Sequence, residues 1–126
     1  MIVSFTGTRE GMSPSQRDQL GFVLAVLCEA YIPKSLEFRH GDADGADRQA
    51  ALVALSFGMR VTAWPPRSTD ASPLVRNERD LAAPCDLLIA GPRTDTEETR
   101  SGTWATVRYV RRRGKPILFL TRGKIE

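Results

Sequence analysis

Four short segments hold most of the side chains that can do chemistry in this chain. Ser101-Gly102-Thr103 sets two hydroxyls around a glycine, just ahead of a helix-periodic stretch. A helix beginning there leaves the amides of Gly102, Thr103 and Trp104 without carbonyl partners, and glycine lets an anion approach the backbone. Phosphate binding is the chemistry that suits such a turn; a plain serine cap is its structural alternative. Thr6-Gly7-Thr8-Arg9 is a second turn of this kind, in which Arg9 either reaches a phosphate or is simply solvated. Gly41-Asp42-Ala43-Asp44-Gly45-Ala46-Asp47 is acidic but lacks the other ligands and the downstream glutamate of a calcium loop. Here Asp42 or Asp44 is expected to cap the next helix or to hold ribose hydroxyls, while Gly41 and Gly45 bring backbone close to a ligand. Arg76-Asn77 adds a cation beside an amide.

Other chemistries are excluded by what is missing. The chain has no G-x-x-x-x-G-K-[ST] phosphate loop and no G-x-G-x-x-G dinucleotide fingerprint. Its one histidine, His40, ends a strand-like run and is read as structural, so neither a Ser-His-Asp triad nor a zinc site is expected. Cys28 and Cys85 sit among apolar neighbours and are read as free thiols of a cytoplasmic protein. The longest apolar run, Phe22 to Cys28, is seven residues, where a membrane span needs about 20. The N-terminus lacks the basic and apolar regions of a signal peptide.

The net charge, 18 − 15 = +3, is unevenly spread: residues 1–99 sum to −4 (10 basic, 14 acidic) and residues 100–126 to +7 (8 basic, 1 acidic). Fifteen of the 18 basic residues are arginine, which suits bidentate phosphate recognition and equally suits a GC-rich genome. The run Arg111-Arg112-Arg113 falls at a helix end, where cations favour the dipole, and shows no interleaved aromatic in sequence.

The elements that must position these segments follow from periodicity. Ile2–Thr6, Leu36–His40, Arg60–Trp64, Asp86–Ala90 and Lys115–Leu120 read as strands. Between the first two, Ser13 is an N-cap, Pro14 the first helical residue and Gln16 the capping-box partner. Leu20, Val23, Leu24, Leu27 and Tyr31 continue that helix, which stops before Pro33. Further helices are expected from about Asp47 to Gly58, from Leu74 to Ala83, and from Gly102 to Gly114. At 126 residues this is one domain. Five strands alternating with helices imply an α/β fold: a Rossmann-like, doubly wound parallel sheet, predicted in the order 3-2-1-4-5.

Such sheets bind ligands at the carboxyl ends of their strands, beside the switch point, here between the first and fourth strands. All four segments fall there, as does Gly91 at the end of the fourth strand. The polar loops Pro65–Pro73 and Pro92–Thr99 leave the same edge and are expected to close over a ligand, with Arg67 or Arg93 approaching it. Trp104, Tyr109 and the Leu74–Leu81 segment are candidate apolar surface for a homodimer or higher homo-oligomer.

These motifs, in this order and followed by Gly114-Lys115-Pro116, resemble the SLOG superfamily, and within it the YspA/YpsA-related branch of small bacterial or phage proteins. The resemblance covers nearly the whole chain. It implies a ligand site of Thr6, Gly7, Thr8, Arg9, Gly41, Asp42, Ala43, Asp44, Gly45, Asp47, Arg76, Asn77, Gly91, Ser101, Gly102 and Thr103, holding a nucleotide or an ADP-ribose-like molecule. The same superfamily includes LOG phosphoribohydrolases, which break the N-glycosidic bond of nucleoside monophosphates. Arg76 and Gly102-Thr103 match parts of their pattern, but Thr106 stands where their glutamate belongs. An N-glycosidase would need another acid, with Asp42, Asp44 and Glu78 as candidates beside Arg76. DprA-like proteins of the superfamily bind DNA, so a nucleic-acid partner is the third expectation.

Overall fold

A computed structural model of the protein describes residues 1–123. Strand β1, Ile2–Gly7, stops where Gly7 meets the turn. Helix α1, Pro14–Ala30, begins with the expected capping box: Ser13 accepts from the Gln16 amide and the Gln16 side chain accepts from the Ser13 amide. Gln16 is also fully buried, and its Nε2 donates to the carbonyls of Pro92 (2.7 Å) and Leu120 (3.0 Å). One residue thus fixes the helix start and ties it to the ends of two later segments.

Strand β2, Glu37–His40, leads to helix α2, Ala46–Ser56, and then to strand β3, Arg60–Ala63. Gly58 turns the chain after α2 with φ +81°, a conformation glycine adopts without strain. Helix α3 is a single turn, Pro73–Arg76, that runs on as a π-helical segment, Asn77–Ala82. Strand β4, Leu87–Gly91, helix α4, Gly102–Arg112, and strand β5, Ile117–Phe119, are the last elements among the described residues.

All four strand pairings are parallel and the sheet order is β3-β2-β1-β4-β5, as the alternation of elements predicts. Side chains alternate between the faces of each strand. Val3 and Phe5 of β1, Phe38 of β2 and Ile89 of β4 pack with Leu20, Leu24, Ala50 and Ala54 of α1 and α2. Leu88 and Ala90 of β4 pack on the other face with Trp104, Val107 and Val110 of α4. Each large apolar side chain buried in this way contributes about 1.5–3 kcal/mol relative to exposure.

The second face is not wholly covered. Over β2 and β3 it carries a polar network instead: Arg39 donates to Glu37 (2.7 Å), Thr62 donates to Glu37 (2.7 Å), and the Arg39 guanidinium lies 4.0 Å over the Trp64 ring. Burial beyond the β1–β4 centre is accordingly partial, and β5 leaves Leu118 and Phe119 exposed. Among the described residues, no helix is long and apolar enough to cross a membrane. Trp104, a candidate for an association surface, is instead buried and stacks on Phe119 at 5.7 Å, whereas Leu74 and Val75 are exposed.

Candidate functional site

The register aligns Thr6 with Ala90 and Gly7 with Gly91, so β1 and β4 end together at the switch point. A cleft of about 730 Å³ opens there. Of the residues singled out in the sequence, Thr6, Gly7, Thr8, Arg9, Ala43, Asp47, Arg76, Asn77, Ser101, Gly102 and Thr103 line it. Gly41, Asp42, Asp44, Gly45 and Gly91 do not line it.

Of the glycines outside the cleft, Gly41 and Gly45 are explained by packing, whereas a Cβ on Gly91 would make only ordinary contacts. A Cβ on Gly45, where φ is +81°, would lie 2.2 Å from the Arg9 carbonyl oxygen. This close approach lets the Ala46 amide donate to the Thr8 carbonyl at 3.0 Å, which locks the start of α2 against the turn after β1. A Cβ on Gly7 would meet Ala46 Cβ at 2.5 Å, so Gly7, though in the cleft wall, is also a packing requirement. A Cβ on Gly41 would fall 2.8 Å from the Arg76 guanidinium, and one on Gly91 would meet Phe5 at 3.4 Å. Gly41 and Gly45 therefore accommodate protein atoms at close range.

Neither Asp42 nor Asp44 caps α2, contrary to expectation. Gly45 occupies the cap position, with no side-chain cap bond. The acid that organises the loop is Asp47, inside the first turn, whose Oδ2 accepts from the amides of Gly41 (3.0 Å) and Ala43 (3.3 Å). Asp47 is buried, and that burial pushes its pKa up to about 6 against the lowering effect of those two amides and of Arg76. Asp42 adopts φ 59° and is exposed, its amide donating to His40 Nδ1 at 3.0 Å. His40 is buried, which lowers its pKa, and it serves the loop as the structural reading expects. Asp44 is exposed and pairs with Arg48 at 3.3 Å. Glu78 pairs with Arg113 at 3.1 Å, outside the cleft lining. The three candidate replacement acids thus all lie outside the cleft, and its carboxylates are Asp47, Glu97 and Glu98. Thr106 is buried within α4, its hydroxyl donating to the Gly102 carbonyl at 3.0 Å.

Arg76 sits in the cleft wall with 5% exposure, and burial lowers its pKa. Its Nη1 donates to the carbonyls of Gly41 and Trp64, and its Nε to Asn77 Oδ1 at 2.7 Å. The guanidinium therefore ties the ends of β2 and β3 to the π-helical segment. Its Nη2 has no partner among the described residues, and neither does Asn77 Nδ2 or the hydroxyl of Thr103 or Thr6. The π-helical segment is fixed to the sheet by Ser4, whose buried hydroxyl donates to the Leu81 carbonyl at 2.8 Å.

Across the cleft, Ser101 caps α4 by accepting from the Trp104 amide at 3.3 Å. The amides of Gly102 and Thr103 have no partner among the described residues. Donors predominate: two amides, the Asn77 Nδ2, two threonine hydroxyls and the guanidinium groups of Arg9, Arg76 and Arg100 all border the cleft. A donor-rich, arginine-bordered helix start is suited to an anion.

Ion pairs hold both polar loops. Arg79 clamps the first, donating to Asp70 (2.7 Å) and Asp80 (2.7 Å), while Asp70 accepts from the Arg67 amide at 2.8 Å. Arg67 is outside the cleft lining; Arg93 is in it, paired with Glu98 at 2.6 Å and Glu10 at 3.5 Å. Arg108 holds the second loop through the carbonyls of Glu98 and Thr99, both at 3.2 Å. Arg79 belongs to no motif in the sequence; its signal there is the acid beside it, Asp80, and the acid in the preceding polar loop, Asp70.

Solved structures share this architecture. DNA processing protein A (DprA) of Streptococcus pneumoniae superposes with a TM-score of 0.67 at 20% identity, over 93% of this chain and 49% of that one. The fold is DprA-like. DprA of Helicobacter pylori, whose structure is described for its single-stranded DNA binding mode, gives a TM-score of 0.66 at 17% identity, over 94% of this chain and 64% of that one. This chain thus spans about half to two thirds of the length of these DprA proteins. The sequence matches no family model and no curated protein.

Proposed function

We propose that residues 1–126 form a nucleotide-binding domain of the YspA-related SLOG type, whose cleft holds the ligand's phosphate on the amides of Gly102 and Thr103. The observation that carries this reading is Gly102 itself. A Cβ there would meet nothing nearer than Asn77 Nδ2 at 3.9 Å, and its φ lies outside the left-handed region. Neither packing nor backbone conformation calls for glycine at this position, in contrast to Gly7, Gly41 and Gly45. The space it leaves faces the cleft, beside two free amides and the free edge of Asn77. A volume of about 730 Å³ is within the range of small-molecule sites and suits a nucleotide or an ADP-ribose-like molecule.

The fold likeness supports a second reading, in which the nucleotide is one unit of a DNA strand. It rests on the Helicobacter pylori DprA, described for binding single-stranded DNA. The N-glycosidase alternative needs an acid in the cleft, and Asp47 is the buried carboxyl group there.

Calorimetric titration with nucleoside mono- and diphosphates and ADP-ribose tests the proposal, with chromatography of the mixtures for released base. Gly102→Val places a branched side chain in the phosphate position and is expected to lose at least about tenfold in affinity, one charge-assisted contact being worth about 1.5–3 kcal/mol. A folded Gly102→Val protein that binds as tightly as the wild type refutes the placement.

A further inference from the structure

The cleft is rich in donors and poor in free carboxylates. Glu97 is engaged by Arg108 at 3.0 Å and by Arg111 at 3.3 Å, and Glu98 by Arg93 at 2.6 Å. Asp47 differs: it lines the cleft, is 4% exposed, and has no ion-pair partner among the described residues. Its Oδ2 is taken by the amides of Gly41 and Ala43, whereas its Oδ1 has no hydrogen-bond partner among the described residues. Of the buried and half-buried side chains described, only Trp104 has a polar atom, Nε1, that is both sealed from solvent and unpartnered. Asp47 Oδ1 is therefore not sealed, and its open surface belongs to the cleft that the residue lines. A buried carboxylate with one oxygen unpartnered is costly, and burial accordingly holds its titration near 6. A ligand donor on Oδ1 removes that cost, so this oxygen suits a hydroxyl or N–H group.

A continuous wall joins Asp47 to the phosphate position at Gly102. The Gly41 amide donates to Asp47 at 3.0 Å, the Gly41 carbonyl accepts from Arg76, and Arg76 donates to Asn77 at 2.7 Å. Asn77 Nδ2 lies 3.9 Å from the Cβ position of Gly102. In a nucleoside phosphate the sugar follows the phosphate directly and the base comes after it. We propose that Asp47 is a specificity-determining residue, whose Oδ1 accepts a hydrogen bond from a ribose hydroxyl of the ligand, so that the cleft takes ribonucleotides in preference to deoxyribonucleotides. The inference rests on the phosphate reading of the cleft and adds the sugar to it. Asp42 and Asp44, the acids that the sequence offers for ribose, lie outside the cleft; Asp47 supplies the same chemistry from inside it. An internal unit of a DNA strand has no free sugar hydroxyl and leaves this oxygen unpartnered.

The test is calorimetric titration at pH 8 with the 5′-monophosphates of adenosine, guanosine, cytidine and uridine, each beside its 2′,3′-dideoxy counterpart. Phosphate and base cancel within a pair, so the ratio of affinities reads the sugar alone. The wild type should favour the ribose form at least about tenfold, the value of one hydrogen bond to a charged group. Asp47→Asn keeps a carbonyl oxygen for the Gly41 and Ala43 amides and turns an uncharged amide group toward the cleft. Its ratio should fall to about threefold or less, the value of a neutral hydrogen bond. The ratio decides, because removing a negative charge from the cleft raises the affinity of every anionic ligand. Wild-type pairs that bind equally overturn this inference and leave the phosphate reading standing, as does a ribose preference that Asp47→Asn leaves unchanged. Binding of none of these ligands overturns both.

Discussion

Asp47 makes this protein's stability depend on pH in a direction opposite to the usual salt-bridged acid. Its carboxyl group titrates near 6 when folded, because burial disfavours the charged form, and near 3.9 when unfolded. The folded state therefore binds the extra proton between those values, and stability falls as pH rises from about 4 through 6. Two pH units at about 1.4 kcal/mol each make the ionised side chain cost about 3 kcal/mol at pH 8. Asp47→Asn removes the titration but keeps a carbonyl oxygen for the amides of Gly41 and Ala43. Urea unfolding of both proteins from pH 4 to pH 8 isolates the effect, since His40 and the other groups are common to the pair. The variant should gain on the wild type as pH rises, by roughly 1.5 M in urea midpoint at pH 8 if the slope is about 2 kcal/mol/M. Below pH 4 the two midpoints should converge. Parallel pH profiles, or a variant less stable than the wild type at pH 8, would refute the reasoning.

Two further outcomes follow from the backbone. Gly45→Ala combines a left-handed φ of +81° with a Cβ 2.2 Å from the Arg9 carbonyl oxygen and should cost about 3 kcal/mol, read as a lowered urea midpoint; an unchanged midpoint counts against the packing account. Ser13→Ala removes the acceptor for the Gln16 amide and a donor to the Arg122 carbonyl, and should cost about 1 kcal/mol, a fall of roughly 3–5 °C in melting temperature by circular dichroism.

What was legible in the sequence depended on how far each residue reaches. The Ser13–Gln16 box is local, spans four residues and is present as read. The strand order followed from alternation and from the handedness of crossovers, without any particular contact. The loop after β2 was only half legible: the glycines and acids mark a turn before a helix, but choosing the organising acid needs the loop's actual path. That path turns the amides of residues 41 and 43 back toward Asp47, which the acid content of Asp42 and Asp44 conceals. The glycines were ambiguous for a related reason, since packing and ligand approach both select glycine. Only the space around each one separates Gly102 from Gly41 and Gly45. Apart from Asn77, its neighbour in sequence, the partners of Arg76 lie 12 and 35 residues away and leave no local trace.

The π-helical segment was also invisible, because six residues cannot distinguish its period from that of an α-helix, and its consequence concerns counting. In a regular α-helix each residue advances about 100° around the axis, so a π turn acts as one inserted residue that rotates everything beyond it by that angle. On one side of this insertion Arg76 and Asn77 border the cleft; on the other Ala82 joins the core beside Leu88. Deleting a single residue between Asn77 and Ala82 would let a uniform helix form and would force a choice between those two faces. The cleft wall is therefore set by a residue count, and a homologous segment with the same residue types but one position fewer would present a different surface to the same ligand.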